Sequence, residues 1–125
     1  MKEPIWLELT VVLAIHDEQL AEHGGRPGVR DHAALDSALS RPKHRFAYGS
    51  TSLAGLAASL AFGISRNHPF IDGNKRTSLV VAELFLTLNA VELRATDADC
   101  VATFFALAAG ELSEEQLAAW LERHS

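Results

Sequence analysis

Residues 68–77 read HPFIDGNKRT, and these ten positions gather an imidazole, a carboxylate, a flexible Asp-Gly-Asn turn and two adjacent cations. An unperturbed imidazole titrates near neutrality, so His68 is a candidate base for an attacking hydroxyl. Pro69 fixes the backbone beside it and keeps the imidazole out of a helix. Asp72 is a candidate ligand for Mg2+, an ion that takes carboxylate, water and phosphate oxygens. It would serve equally as a helix N-cap. Gly73 lets the backbone approach a ligand with no Cβ in the way. Asn74 can donate or accept to orient phosphate or target, and Phe70 suits an inward anchor for the loop.

Lys75 and Arg76 then fall in the first turn of the following helix. A helix N-terminus carries unpaired N–H groups and a partial positive charge, which suits it to phosphate. Cations there are disfavoured by about 0.3–1 kcal/mol each. Two together oppose the dipole and each other unless an anion neutralises both, and a polyphosphate does. A plain Asp-Gly-Asn turn leaves that pair unexplained. His68 and Asp72 as two zinc ligands would need partners, and nothing nearby completes a set.

The elements that must hold this stretch are helical. Trp6-Leu7-Glu8-Leu9 alternates and suits a short strand or a lead-in. Thr10 is placed to cap a helix to about Glu22, stopped by Gly24-Gly25. Asp31 caps a second, Ala33 to about Leu39, which Pro42 ends. Residues 41–50 mix basic and aromatic side chains with Pro and Gly, and predict an exposed loop or hairpin. Thr51 caps a third helix to about Ser65, apolar on every side and therefore buried. A fourth runs from about Asn74 to Leu88; its β-branched content would suit a strand, but its length exceeds the usual ~5–6 residues. Residues 91–94 are a brief extended candidate. Asp97 starts a fifth helix ending at Gly110, and Ser113 with Gln116 forms a capping box for a last one through Trp120.

One domain spanning residues 1–125 is expected, long enough to close a single core. Apolar residues make up 48% of the chain, which excludes a disordered one. No apolar run reaches the ~18 residues of a spanning helix, so no membrane is expected. The N-terminus lacks the apolar start of a secretion signal, and the lone Cys100 excludes an internal disulfide framework. The expected location is cytoplasmic. A net charge of -5 argues against direct nucleic-acid binding through phosphate neutralisation. The charge is uneven, however: from Arg41 to Arg76 six basic residues accompany one acid, Asp72. The other histidines (His16, His23, His32, His44, His124) suit solvent or capping positions, and Arg66 suits either surface or phosphate contact. Trp6 and Trp120 suit anchors for the chain ends.

At residues 68–76 the chain resembles the Fic/Doc superfamily, whose motif reads His-x-Phe-x-Asp/Glu-Gly-Asn-Gly/Lys-Arg. Lys75, where the Fic branch has Gly, is similar to the death-on-curing (Doc) toxin branch. The likeness extends to Ile15-His16 with Gln19-Leu20, to Gly28-Val29-Arg30-Asp31 and to Ala47-Tyr48-Gly49. It implies an all-α, compact six-helix bundle of the Fic/Doc type with at most a small β-element. It implies ATP as nucleotide substrate and Mg2+ as cofactor. His68 would be the base and Asp72 the Mg2+ ligand; Gly73, through its amide, with Asn74, Lys75 and Arg76 would grip phosphates. Residues 41–50 would correspond to the flap that docks a target by backbone pairing. The adenylylating branch carries a second Arg three residues on, where this chain has Leu79, which favours transfer of the γ-phosphate over AMP.

The resemblance therefore implies a toxin of a type II toxin–antitoxin pair. Such a toxin is a protein kinase acting on a Ser or Thr of a translation factor (elongation factor Tu in the family), and it stops translation. No inhibitory Ser/Thr-x-x-x-Glu-Gly/Asn string is present, so restraint would come from a separate antitoxin chain. A nucleotidyltransferase moving AMP or UMP to a protein hydroxyl, and a catalytically silent partner-binding module, are the alternatives.

Overall fold

Six helices carry the chain among the residues described by the computed structural model, which are 2–49 and 52–125. They are α1 (Leu9–His23), α2 (His32–Ala47), α3 (Leu53–Asn67), α4 (Asn74–Leu88), α5 (Asp97–Ala108) and α6 (Glu114–Arg123). The all-α expectation holds. The only β-feature among the described residues is a single antiparallel bridge, Val29 to Phe70. No helix of these residues is long and apolar enough to cross a membrane.

α3 is the centre of the bundle, packed most extensively on α4 and α2 and then on α6. Its small residues bury on every side: Ala54, Gly55, Ala57, Ala58, Ser59, Ala61 and Gly63 line it beside Leu56, Leu60 and Ile64. Small side chains allow neighbouring helices to come close, and close packing is what stabilises a core. α4 turns Leu79, Val81, Ala82, Phe85 and Leu86 against it. The N-terminal segment is a lead-in with no strand: Trp6 stacks on Phe85 and meets Phe46 edge-on, ring centroids 5.9 Å apart in both pairs.

Local expectations fail where tertiary contacts override them. α1 begins one residue before Thr10, because the Glu8 carbonyl already accepts from the amides of Val11 and Val12. Asp31 caps α2 as expected, accepting from the Ala34 amide at 3.0 Å. Pro42, however, does not end that helix. α2 continues through it to Ala47, so residues 41–47 form no loop or hairpin. A proline in a helix interior removes one hydrogen bond and strains the turn before it. Here the second half of α2 is fastened from outside. Arg41 and Arg45, one turn apart, both bond the buried carboxylate of Glu114 on α6, and Phe46 packs on Trp6.

Thr51, the expected cap of α3, lies outside the described residues, as does Ser50; Ser52 makes the cap, accepting from the Gly55 amide at 3.0 Å. Residues 91–94 are not a strand. Ala90 adopts a left-handed conformation (φ 63°) and the Val91 amide returns to the Leu86 carbonyl, so this stretch is the exit of α4. The capping box at Ser113 and Gln116 is present, and α6 runs three residues past Trp120.

Candidate active site

The motif is the connection between the two most closely packed helices. His68 terminates α3 in the left-handed region (φ 49°, ψ 55°), and Gly73 opens α4 in the same region (φ 79°, ψ 16°). A histidine there is held against its own preference. What holds it is Arg30, whose Nε donates to the His68 carbonyl and whose Nη2 donates to that of Asn67, both at 2.7 Å. The Arg30 and Asp31 amides donate to the Pro69 carbonyl and the Ile71 amide to that of Gly28, so residues 28–31 are sewn alongside the loop.

Phe70 is the inward anchor, fully buried. Beneath the loop lies His16, which is 2% exposed and not a solvent residue. Its ring stacks on Phe70 with centroids 3.8 Å apart and planes 9° from parallel. Its Nε2 donates to the Asp72 carbonyl at 2.8 Å. A Cβ at Gly73 would stand 3.3 Å from Leu20 and 3.6 Å from the His16 ring, so the turn lies flat on α1. The signal for His16 was present: Val12, Ile15, His16 and Gln19 fall at i, i+3, i+4 and i+7, the spacing of one helical face.

Asn74 does not face a ligand through its side chain. Its Oδ1 accepts from the Phe70 amide at 3.0 Å and its Nδ2 donates to the Phe70 carbonyl at 2.9 Å, inside a buried ring of bonds. The same Nδ2 lies 3.3 Å from His68 Nδ1. Since Phe70 fixes which end of the amide is the donor, Nδ1 is the acceptor in that contact, and the proton of a neutral His68 sits on Nε2. Gly73 is also engaged, its amide donating to Asp72 Oδ1 at 2.9 Å, so it is not free for phosphate. The amides of Asn74, Lys75 and Arg76 are the first-turn donors that lack intrahelical partners.

The Asp72 carboxylate is exposed, with Oδ2 accepting from the Arg26 amide at 3.2 Å. These two N–H groups, Arg26 first and Gly73 second, hold its carboxyl below the usual carboxylate range. Each oxygen keeps a lone pair, so the residue fits a hard cation that completes its shell with water and phosphate. No group of three His, Cys, Asp or Glu suited to a metal occurs among the described residues.

These groups meet at one hollow of about 300 Å³ lined by His68, Asp72, Lys75 and Arg76, together with His23, Gly24 and Phe105. His23 Nε2 stands 3.5 Å from Arg76 Nη1. His23 and Phe105 were not anticipated, and for Phe105 nothing in the local pattern distinguishes it from core. Arg66 lines a different hollow beside Phe62, away from the motif. Leu79 points into the core and is buried. Residues 41–47 are helical, so they offer no open backbone edge as a flap, while Tyr48 just beyond is 93% exposed.

The connection of a helical hairpin thus presents an imidazole, a carboxylate and two cations to one hollow. Residues 6–86 match the Fic/DOC family, and the chain belongs to it. Within the family it falls in the Doc branch. It is 36% identical over 83 residues to the protein kinase doc of Escherichia phage P1, covering 66% of this chain and 66% of that protein. It is 43% identical over 75 residues to the toxin Doc of Mycolicibacterium smegmatis, covering 58% of this chain and 57% of that one. The alignments thus span roughly three fifths to two thirds of those relatives.

Proposed function

We propose that this chain is a Doc-type toxin, an ATP-dependent protein kinase that transfers the γ-phosphate to a Ser or Thr hydroxyl of a translation factor and so stops translation. The observation that carries the reading is the convergence of His68, Asp72, Lys75 and Arg76 on one hollow at the start of α4. Phosphoryl transfer needs little beyond positioning and charge neutralisation. Lys75, Arg76 and the first-turn amides would take the phosphates. Asp72 would hold Mg2+, which supplies charge neutralisation between phosphate oxygens. His68 would receive the hydroxyl proton on Nε2, which requires the tautomer with its proton on Nδ1 and release of the 3.3 Å contact to Asn74.

The relatives named as a protein kinase and as a toxin support this class, and a separate antitoxin is the expected partner. Nucleotidyl transfer is disfavoured by Leu79, whose side chain is turned away from the hollow into the core. ATP labelled at the α or the γ position, incubated with a translation extract, separates the two. The γ-label should appear in one protein band and vanish with His68→Ala; α-label in that band sinks the kinase reading.

A further inference from the structure

The family match ends at residue 86, yet α5, beyond it, supplies a wall of the hollow. That wall is Phe105. Lys75 Nζ lies 5.2 Å and Arg76 Cζ 5.6 Å from its ring centroid. An aromatic face attracts a cation within about 6 Å of its centroid. Both cations of the motif therefore answer to one ring, half-buried on another helix.

The arrangement addresses a local problem. Neighbouring side chains on a helix diverge by about 100°, so adjacent cations normally point apart and repel. Lys75 and Arg76 instead converge on Phe105, with His23, another lining residue, beside the Arg76 guanidinium. Among the described residues no acidic side chain within salt-bridge distance pairs with either cation. Both positive charges thus remain available to an anion, while the ring restricts where they stand.

We infer that Phe105 is a positioning residue that gathers Lys75 and Arg76 into one anion-receiving face. Its use for nucleotide phosphates rests on the ATP reading above. Phe105 touches the cations, not the reacting atoms. Packing alone would be satisfied by any apolar side chain of similar bulk. Attraction of two cations requires a π-face, which tryptophan and tyrosine also have and leucine lacks.

The test compares wild type, Phe105→Leu, Phe105→Trp and Phe105→Tyr by NMR of the lysine ε-methylenes and by calorimetric titration with ATP·Mg2+. The chain has three lysines, so Lys75 is assigned with one Lys75→Arg variant. In the wild type the Lys75 ε-protons should be shifted upfield by the ring, and the shift should disappear in the leucine variant and persist in an aromatic one. The Kd for ATP·Mg2+ should rise about fivefold in Phe105→Leu and stay within about twofold in an aromatic variant. Thermal melts identify any variant that loses the fold, and the tyrosine variant serves if tryptophan is too large. A Lys75 signal that is unshifted in the wild type overturns the inference, as does an aromatic variant that folds but binds as poorly as leucine. Absence of ATP·Mg2+ binding by a wild type whose Lys75 signal is ring-shifted overturns the nucleotide reading instead, and leaves the gathering of the cations established.

Discussion

Asn74→Ala tests whether the motif asparagine holds the loop or the ligand. The side chain is 4% exposed and serves both the N–H and the C=O of Phe70, a residue with no exposed surface of its own. Truncation leaves a buried donor and a buried acceptor without that partner, at about 1–3 kcal/mol each. Alanine regains at most about 0.5 kcal/mol as the better helix former. A loss of about 1.5–6 kcal/mol is expected, large beside the ~5–15 kcal/mol total of a typical domain. Equilibrium urea unfolding measures it, with Lys75→Ala as the comparison, since that exposed cation should cost under about 0.5 kcal/mol. Asn74→Asp keeps the acceptor for Phe70 N–H but sets an oxygen against Phe70 C=O, so it should fare no better. An Asn74→Ala midpoint within about 0.5 kcal/mol of wild type would refute the reasoning, and the amide would then have to be assigned to ligand binding.

Three further outcomes follow from contacts around the same loop and from the tie between α2 and α6. Asp72 is held below the usual carboxylate range by the Arg26 and Gly73 amides; its favourable contacts are complete above the unfolded value of about 3.9 and are lost as pH falls through the lower folded value. A 13C titration of the Asp72 carboxyl should give a midpoint below the unfolded value of about 3.9, with the Arg26 and Gly73 amides titrating in step, and a midpoint at or above that value contradicts the geometry. Gly25 has φ +133°, and an added Cβ would stand 2.8 Å from Leu20 and 3.1 Å from Asp72 Oδ2. Gly25→Ala should therefore destabilise by about 1–3 kcal/mol and shift the Asp72 resonances, and an unshifted Asp72 would count against the contact. Glu114→Ala removes the carboxylate shared by Arg41 and Arg45, and should cost about 2 kcal/mol because both guanidinium groups can still reach water; unfolding within about 0.5 kcal/mol of wild type would show that α2 is held past Pro42 by something else.

The sequence carried the site more fully than it carried the elements around it. His68, Asp72, Lys75 and Arg76 were legible as a group because they lie within one short stretch, and α4 from about Asn74 followed from an apolar run too long for a strand. Long-range contacts were not legible. Pro42 signals the end of a helix locally, but Glu114, 72 positions away, fastens the turn that follows it. The bonds that engage the Gly73 amide and the Asn74 side chain were not legible, because a residue's type does not reveal whether its groups are already bonded. His16 was recoverable from helical spacing, whereas Phe105 needed the packing of α5 to be known.

The placement of the motif between α3 and α4 bears on how fast the site can breathe. Its backbone is anchored by Phe70 within the core, by His16 from α1 and by Arg30 from the segment before α2. Amide protons of Phe70 and Ile71, bonded to Asn74 and Gly28, should exchange with solvent on the slow timescale of the bundle as a whole. Proteolysis of the loop backbone would then report global opening, and a partner that silences the protein would act more readily by covering the hollow than by remodelling it.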